Sequence, residues 1–286
     1  MASSRELAKP SLIPGDYKSI SKWPWWAIVL VLTGITVIFL ILAAPNYHQT
    51  FFFLLKGIYT TIRITLMTYA LATFIGLIAG LCRVSKNVIL FNASTLYVEM
   101  VRGIPLVVLL LYIAFALIPI FVDTVKGFGN WGLSLIASSS VFKSLSEFSI
   151  RSLPMEGRAV IALAFGYGAY EAEVFRAGIQ SIGKGQIEAA KSLGMKYFQS
   201  MRFIILPQAI RRVLPPLGND FIACLKDSSL ATVLAVPELT QMGRLRRAST
   251  FRVLETFNVV AFLYLSMTLL LSGVVRWLEQ KMRIEE

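Results

Sequence analysis

The 286-residue chain is 56% hydrophobic and only 15% charged, with a mean hydropathy of +0.67. Soluble globular domains are about 45–50% apolar and about 25% charged, so this composition excludes an ordinary soluble enzyme and points to an all-α, polytopic integral membrane protein. At about 20 residues per span, the chain has room for six transmembrane helices with loops. The formal net charge of +12 is read as basic residues bordering spans on the inner side, and nucleic acid is not an expected partner. Cys82 and Cys224 lie far apart in apolar segments; they have no metal-ligand spacing and no evident disulfide, and behave as small buried hydrophobes.

In chain order, residues 1–25 are polar and basic and form an expected cytoplasmic tail, ending at an aromatic belt of Trp23, Trp25 and Trp26. Residues 26–44 are uncharged and apolar and make the first span. They are longer and deeper in the chain than a signal-peptide core, although cleavage after Ala43 or Ala44 is the alternative. Pro45 to Gln49 form an expected short outer loop, and span two lies within 51–82, where Gly76 and Gly80 permit close helix approach. Span three is expected over 96–120, kinked by Pro105 near its inner end. Residues 121–158 form a long outer segment with a possible interfacial helix near Leu133–Phe148, span four covers 159–180, and a basic island occupies 184–212. Span five (213–236), an outer segment (237–256), span six (257–277) and a cytoplasmic tail (278–286) complete the chain. Lys and Arg are more frequent in the segments placed inside than in those placed outside, which puts both termini in the cytoplasm. Arg244, Arg246, Arg247 and Arg252 run against that bias.

The island is too polar to cross a bilayer. Glu188, Ala189, Ala190, Lys191 and Leu193 are good helix formers, Gly194 interrupts them, and a second helical run from Tyr197 is expected to stop at Pro207. Glu188 suits the first turn of a helix. Ala189, Leu193, Tyr197 and Met201 recur at intervals of four and suggest one apolar face. Periodicity alone allows either a docking helix or one lying on the membrane surface.

Glu188-Ala189-Ala190, Gly194 and Ile204-Ile205-Leu206-Pro207 resemble the EAA loop of ATP-binding-cassette (ABC) importer permeases. Gly168-Ala169-Tyr170, Glu173, Arg176, Gly178, Pro207-Gln208-Ala209, Leu214-Pro215, Asn219 and Lys226-Asp227-Ser228-Ser229-Leu230, with Tyr97, Glu99, Arg102-Gly103 and Pro105-Leu106 upstream, narrow the resemblance to the polar amino acid subfamily (histidine, glutamate, glutamine, arginine and opine type). The resemblance covers roughly residues 55–280. It implies that the last five of six transmembrane helices adopt the type I (MetI-like) importer fold, that 51–280 is the permease domain, and that 26–44 is an added N-terminal span. It further implies that Glu188, Ala189, Ala190, Leu193, Gly194, Tyr197 and Pro207 couple the chain to an ABC ATPase dimer. The other implied partners are a second permease chain, identical or related, and a periplasmic or extracellular substrate-binding protein that delivers a polar amino acid. ATP and Mg²⁺ would sit on the ATPase, and this chain would bind no cofactor. The implied location is the bacterial inner membrane.

The residues themselves show no enzyme constellation. His48 is the single histidine, and neither a G-x-S-x-G serine nor a Gly-rich phosphate loop occurs. No catalytic residue and no metal site is expected. Charges inside membrane helices are costly, which marks them as functional groups, ion pairs or near-interface residues. Glu173 and Arg176 stand at i, i+3 and can pair; Tyr170, Glu171, Glu173, Arg176, Asn219 and Asp220 are the expected substrate path, where a zwitterion meets both signs of charge. Lys226 and Asp227 read as a helix–helix network, and Arg63 as a partnerless residue snorkelling to the interface. The alternative function is a permease half that docks the ATPase and scaffolds the path without binding substrate, and an ion-coupled carrier needing no ATPase is a third class.

Overall fold

The computed structural model describes residues 25–136 and 139–282. The expected tail at 1–24 and the last four residues lie outside the described residues. Among the described residues the chain is helical, with no strand. Helix α1 is Trp25–Ala43, α2 Pro45–Arg83 and α3 Val88–Gly103; α4 (Leu106–Tyr112) and α5 (Ile118–Leu135) are joined by a π-helical turn at Ile113–Leu117. A short α6 (Ser140–Ser146) leads to α7, Met155–Gln180. Then come α8 (Lys184–Ser192), α9 (Tyr197–Ser200), a π-helical turn Met201–Ile205, α10 (Leu206–Asp227), a 3₁₀ segment Ser228–Leu234, α11 (Leu239–Thr250) and α12 (Val253–Met282).

Four stretches are long and apolar enough to cross a membrane: Trp25–Ala43, Pro45–Arg83, Leu106–Leu135 and Val253–Lys281. The other two expected spans, on α7 and α10, carry Glu171, Glu173 and Arg176, and Asp220, Lys226 and Asp227. Length and apolarity therefore mark four candidate crossings among the described residues, and the count of six is not established by that measure.

The organising seam is between α2 and α7. Thr61, Thr65, Thr68, Ala72, Gly76 and Gly80 of α2 are buried at three- and four-residue spacing, which makes one narrow stripe of small and hydroxyl side chains. Gly168 and Ala172 answer from α7. Backbones can then approach as small-residue membrane interfaces do. A Cβ on Gly76 would lie 2.7 Å from the Glu171 Cβ, and one on Gly80 would lie 2.7 Å from the Phe175 Cβ. Ion pairs close the seam at both ends. Arg63 donates to both Glu156 carboxylate oxygens, with Nε to Oε1 at 2.7 Å, and Arg83 Nη1 donates to Glu173 Oε2 at 2.7 Å. Arg63, expected to be partnerless, thus has a partner on α7 that sequence distance concealed.

Several expected boundaries move. Residues 45–49 are not a loop but the first turns of α2, with Pro45 at the helix start, where its missing N–H costs nothing. Span three does not begin at 96: α3 is a separate helix, and extended backbone at Ile104 (φ −105°, ψ 134°) before Pro105 breaks the chain, so Pro105 separates two helices rather than bending one. The expected outer segment 121–158 is mostly helical. α5 runs to Leu135 and α6 folds back on it, rather than one interfacial helix over 133–148. Pro207 does not end a helix. Each π turn is followed by a proline at the second position of the next helical stretch, Pro119 after 113–117 and Pro207 after 201–205. The wider π turn relieves the clash that a proline ring makes with an α-helical carbonyl. The Gln208 side-chain amide donates to the Ile204 carbonyl at 3.0 Å, supplying a donor in the turn where Pro207 has none.

The outer segment 237–256 is largely α11, capped by the fully buried Glu238, whose carboxylate accepts from the amides of Thr240 and Gln241 at 2.7 Å each and from the Tyr264 hydroxyl at 2.9 Å. Arg246 reaches back to Thr50 Oγ1 at 3.3 Å and lies over the Phe53 ring. Thr50 and Arg83 are about 50 Å apart along α2 at 1.5 Å per residue, more than the roughly 30 Å of bilayer hydrocarbon. The arginines of α11 therefore lie at the end of the bundle opposite the 184–212 island.

Gly80→Leu is expected to destabilise the protein by about 1–3 kcal/mol, read as a lowered melting midpoint in detergent. Gly34→Leu on α1, where nothing lies within 4 Å of the added carbon, is the control and should leave the midpoint unchanged.

Candidate functional site

Where α3, α7 and α10 meet, at the island end of the bundle, the structure has an open cavity of about 460 Å³. Tyr170, Glu173 and the small Ala177 and Gly178 line it from α7, Arg102 from α3, and Arg212, Pro216 and Asp220 from α10. Local sequence explains the placement. The break at Ile104-Pro105 ends α3 at Gly103 and leaves Arg102 in its last turn, with its guanidinium 5.7 Å from the Tyr170 ring centroid. Gly178 lets α10 come close, since a Cβ there would lie 2.1 Å from Val213 Cγ2.

Hydrogen bonds hold the wall in place. Tyr69 of α2 donates to the Leu217 carbonyl at 2.7 Å, and Tyr167 of α7 donates to Asp227 Oδ2 at 2.7 Å. Asp227 thus serves the helix–helix network expected of it. Arg212 Nη1 donates to the Ser181 carbonyl, which ties α10 to the end of α7 just before α8 begins.

Glu173 is the electrostatic centre of the site. Its Oε2 accepts from Arg83 Nη1 at 2.7 Å and from Arg176 Nε at 3.0 Å, while its Oε1 accepts from Arg176 Nη2. Arg83 also lies 3.5 Å from Glu99. The i, i+3 pair expected on α7 forms, but it belongs to a larger network joining α2, α3 and α7.

Of the six path residues expected from sequence, Tyr170, Glu173 and Asp220 come together in the cavity wall. Arg176 stands behind Glu173, held also by Gln180. Asn219 is exposed and is not part of the wall. Glu171 does not face the path. It points into the α2–α7 seam, is fully buried, and neither of its carboxylate oxygens has a hydrogen-bond partner among the described residues. The reason is rotation: at 100° per residue, neighbours of Tyr170 and Glu173 on a helix need not share their face. Arg102 and Arg212 were missed because each reads in sequence as an inner-side boundary charge. Among the described residues, no cluster of three or more His, Cys, Asp or Glu groups could hold a metal ion.

On the island, Glu188 is the fifth residue of α8 rather than part of its first turn. Glu188, Ala189 and Leu193 are exposed, Leu193 at 81%, while Ala190 is fully buried. Gly194 has φ +75°, a left-handed conformation, and the Met195 amide donates to the Ala190 carbonyl at 3.1 Å, so the helix ends in a glycine cap. That cap separates α8 from α9, which Tyr197 opens. The four-residue periodicity through Ala189, Leu193, Tyr197 and Met201 therefore does not trace one helical face, and Met201 instead packs with Ile182, Ile205 and Ala209. Pro207 is exposed at the start of α10.

Residues 72–284 match the family described as binding-protein-dependent transport system inner membrane component. The chain is 36% identical over 231 residues to the glutamine transport system permease protein GlnP of Escherichia coli K12, covering 81% of this chain and 93% of that protein. It is 33% identical to the probable glutamine ABC transporter permease protein GlnP of Bacillus subtilis, covering 79% and 92%. The crystal structure of an amino acid ABC transporter superimposes with TM-score 0.66 at 31% identity over 84% of this chain and 98% of that one. The MetNI methionine ABC transporter matches with TM-score 0.60 at 17% identity over 82% and 97%, a likeness of fold alone. This chain belongs to the family of binding-protein-dependent transport system inner membrane components and is a membrane-embedded permease subunit of an ABC importer.

Proposed function

We propose that the chain forms half of the translocation path of an ATP-driven importer of polar amino acids, and that the cavity bounded by Arg102, Tyr170, Glu173, Arg212 and Asp220 is the part of that path that holds substrate. The observation that carries this reading is the meeting of both signs of charge in the wall of one cavity between three helices of the permease. A zwitterionic amino acid is a ligand that uses both. The relatives named above, glutamine permeases and an amino acid transporter, support the substrate class. A second permease chain would cover the open side of the cavity. An external binding protein would deliver the amino acid to the end of the bundle carrying α11.

Coupling follows from connectivity. The exposed Glu188, Ala189 and Leu193 of α8, with the Gly194 cap, offer a docking surface for an ATPase subunit. ATP and Mg²⁺ would be bound by that subunit, and this chain would hold no cofactor. The span from Ser181 to Lys184 joins α8 to α7, and Ser181 is bonded to Arg212 in the cavity wall. A rigid displacement of α8 therefore moves the contact between α7 and α10, which is the change needed to switch the cavity between the two sides of the membrane. With the island on the ATPase side, the C-terminal end of α12 is cytoplasmic and the start of α2 faces outward.

Gly194→Pro should leave the chain in the membrane but abolish its association with the ATPase, because proline cannot adopt φ +75°. Co-purification of the ATPase with tagged protein from detergent-solubilised membranes measures this, and normal recovery would overturn the docking assignment. Glu173→Gln removes the charge that pairs with Arg83 and Arg176 and should lower uptake at least about tenfold, or about 1.4 kcal/mol, with the complex still assembled. Unchanged uptake would favour the alternative in which the partner permease alone carries the substrate site.

A further inference from the structure

The cavity contains more charge than it neutralises internally, and the imbalance has a sign. Glu173 is already matched: Arg83 and Arg176 occupy both of its carboxylate oxygens. Asp220 is not matched: its Oδ2 is buried without a hydrogen-bond partner among the described residues. Arg102 lies over the Tyr170 ring and forms no ion pair among the described residues. Arg212 uses a donor on the Ser181 carbonyl and forms no ion pair there either. After internal pairing, the wall presents one carboxylate oxygen without a hydrogen-bond partner and two guanidinium groups without an ion pair among the described residues.

An amino acid zwitterion satisfies one of each. Its ammonium group matches Asp220, and its carboxylate matches one guanidinium, a favourable planar pairing. The second guanidinium then faces the side chain. A side chain ending in a carbonyl or carboxylate oxygen accepts from it. A lysine or arginine side chain places a like charge against it, and repulsion of the wrong ligand is a strong source of selectivity. The sequence left this open, because acidic residues near the path could bind a cationic amino acid; the double pairing of Glu173 leaves Asp220 as the wall carboxylate without a partner among the described residues.

We propose that the Arg102–Arg212–Asp220 cavity selects amino acids whose side chains end in an acceptor oxygen, the carboxamides and carboxylates, and rejects cationic ones. This rests on the reading above that the cavity is the substrate-holding part of the path. Within it, Asp220 acts on the group common to all amino acids, whereas the free guanidinium acts on the side chain.

The test uses the intact importer complex, purified through the tagged chain and placed in lipid nanodiscs without the external binding protein, so that protein's own selectivity does not enter. Equilibrium dialysis with radiolabelled glutamine, glutamate, lysine and arginine reads the affinity of each. Glutamine and glutamate should bind at least about tenfold more tightly than lysine and arginine. Arg212→Glu should reverse that ranking, and Asp220→Asn should weaken all four ligands alike without changing it. ATPase co-purification confirms that each variant is assembled, and Arg102→Glu is a second reversal variant should Arg212→Glu fail to assemble. Lysine or arginine binding as tightly as glutamine, a ranking untouched by both reversals, or no binding of any of the four would overturn the proposal. Uptake by intact cells separates this from the broader reading: uptake that prefers cationic amino acids sinks the selectivity alone, whereas the absence of amino acid uptake sinks the proposed function with it.

Discussion

The structure depends on how closely α2 and α7 approach. Two membrane helices gain little from the hydrophobic effect by associating, because lipid is as apolar as their side chains, so contact must come from packing and polar bonds. Here both are present. Gly76 and Gly80 bring α2 against Ala172 and Phe175, and the Arg63–Glu156 and Arg83–Glu173 pairs close the two ends. The two arginines stand about 30 Å apart along α2 at 1.5 Å per residue, close to the thickness of bilayer hydrocarbon, about 30 Å. A seam bracketed in this way has one register and one rotation. That rotation turns Glu171 into the seam and Tyr170 and Glu173 toward the cavity.

Glu173 therefore has two roles at once. It closes the seam through Arg83, and by pairing with Arg176 as well it withdraws its own charge from the cavity it borders. The charge left for a ligand comes from groups that the seam does not use: Arg102 at the broken end of α3, and Arg212 and Asp220 on α10. The same seam links the cavity to the island, since α7 ends at Ser181, where Arg212 is bound, and the chain enters α8 within a few residues.

Proline placement shows how local chemistry and long-range order divide the work. Pro105 follows an extended residue and separates two helices. Pro119 and Pro207 each follow a π turn and stay within continuous helical paths, and Pro215 and Pro216 lie inside α10. The residue type alone does not distinguish these outcomes. What differs is the backbone before the ring: extended at Ile104, and a wider π turn before Pro119 and Pro207. The island shows the converse case: Gly194 ends α8 by its own backbone freedom, and the sequence pattern identified that position without any tertiary information.

Much of the architecture was legible in the sequence because hydrophobic length and backbone chemistry are local quantities. The apolar runs at 51–82 and 257–277 lie within α2 and α12, the run at 26–44 matches α1 to within a residue, and the stop at Gly194 follows from what that residue can adopt. The pattern at 188–207 also identified the family, because a motif is itself a sequence property. The tertiary structure decided what depends on rotation and on distant partners. Arg63 found Glu156, Glu173 acquired Arg83 in addition to its sequence neighbour Arg176, Glu171 turned inward while Tyr170 beside it turned to the cavity, and Arg102 and Arg212 changed from boundary charges into cavity walls. No sequence spacing encodes those outcomes, since each is fixed by the angle at which one packed helix meets another.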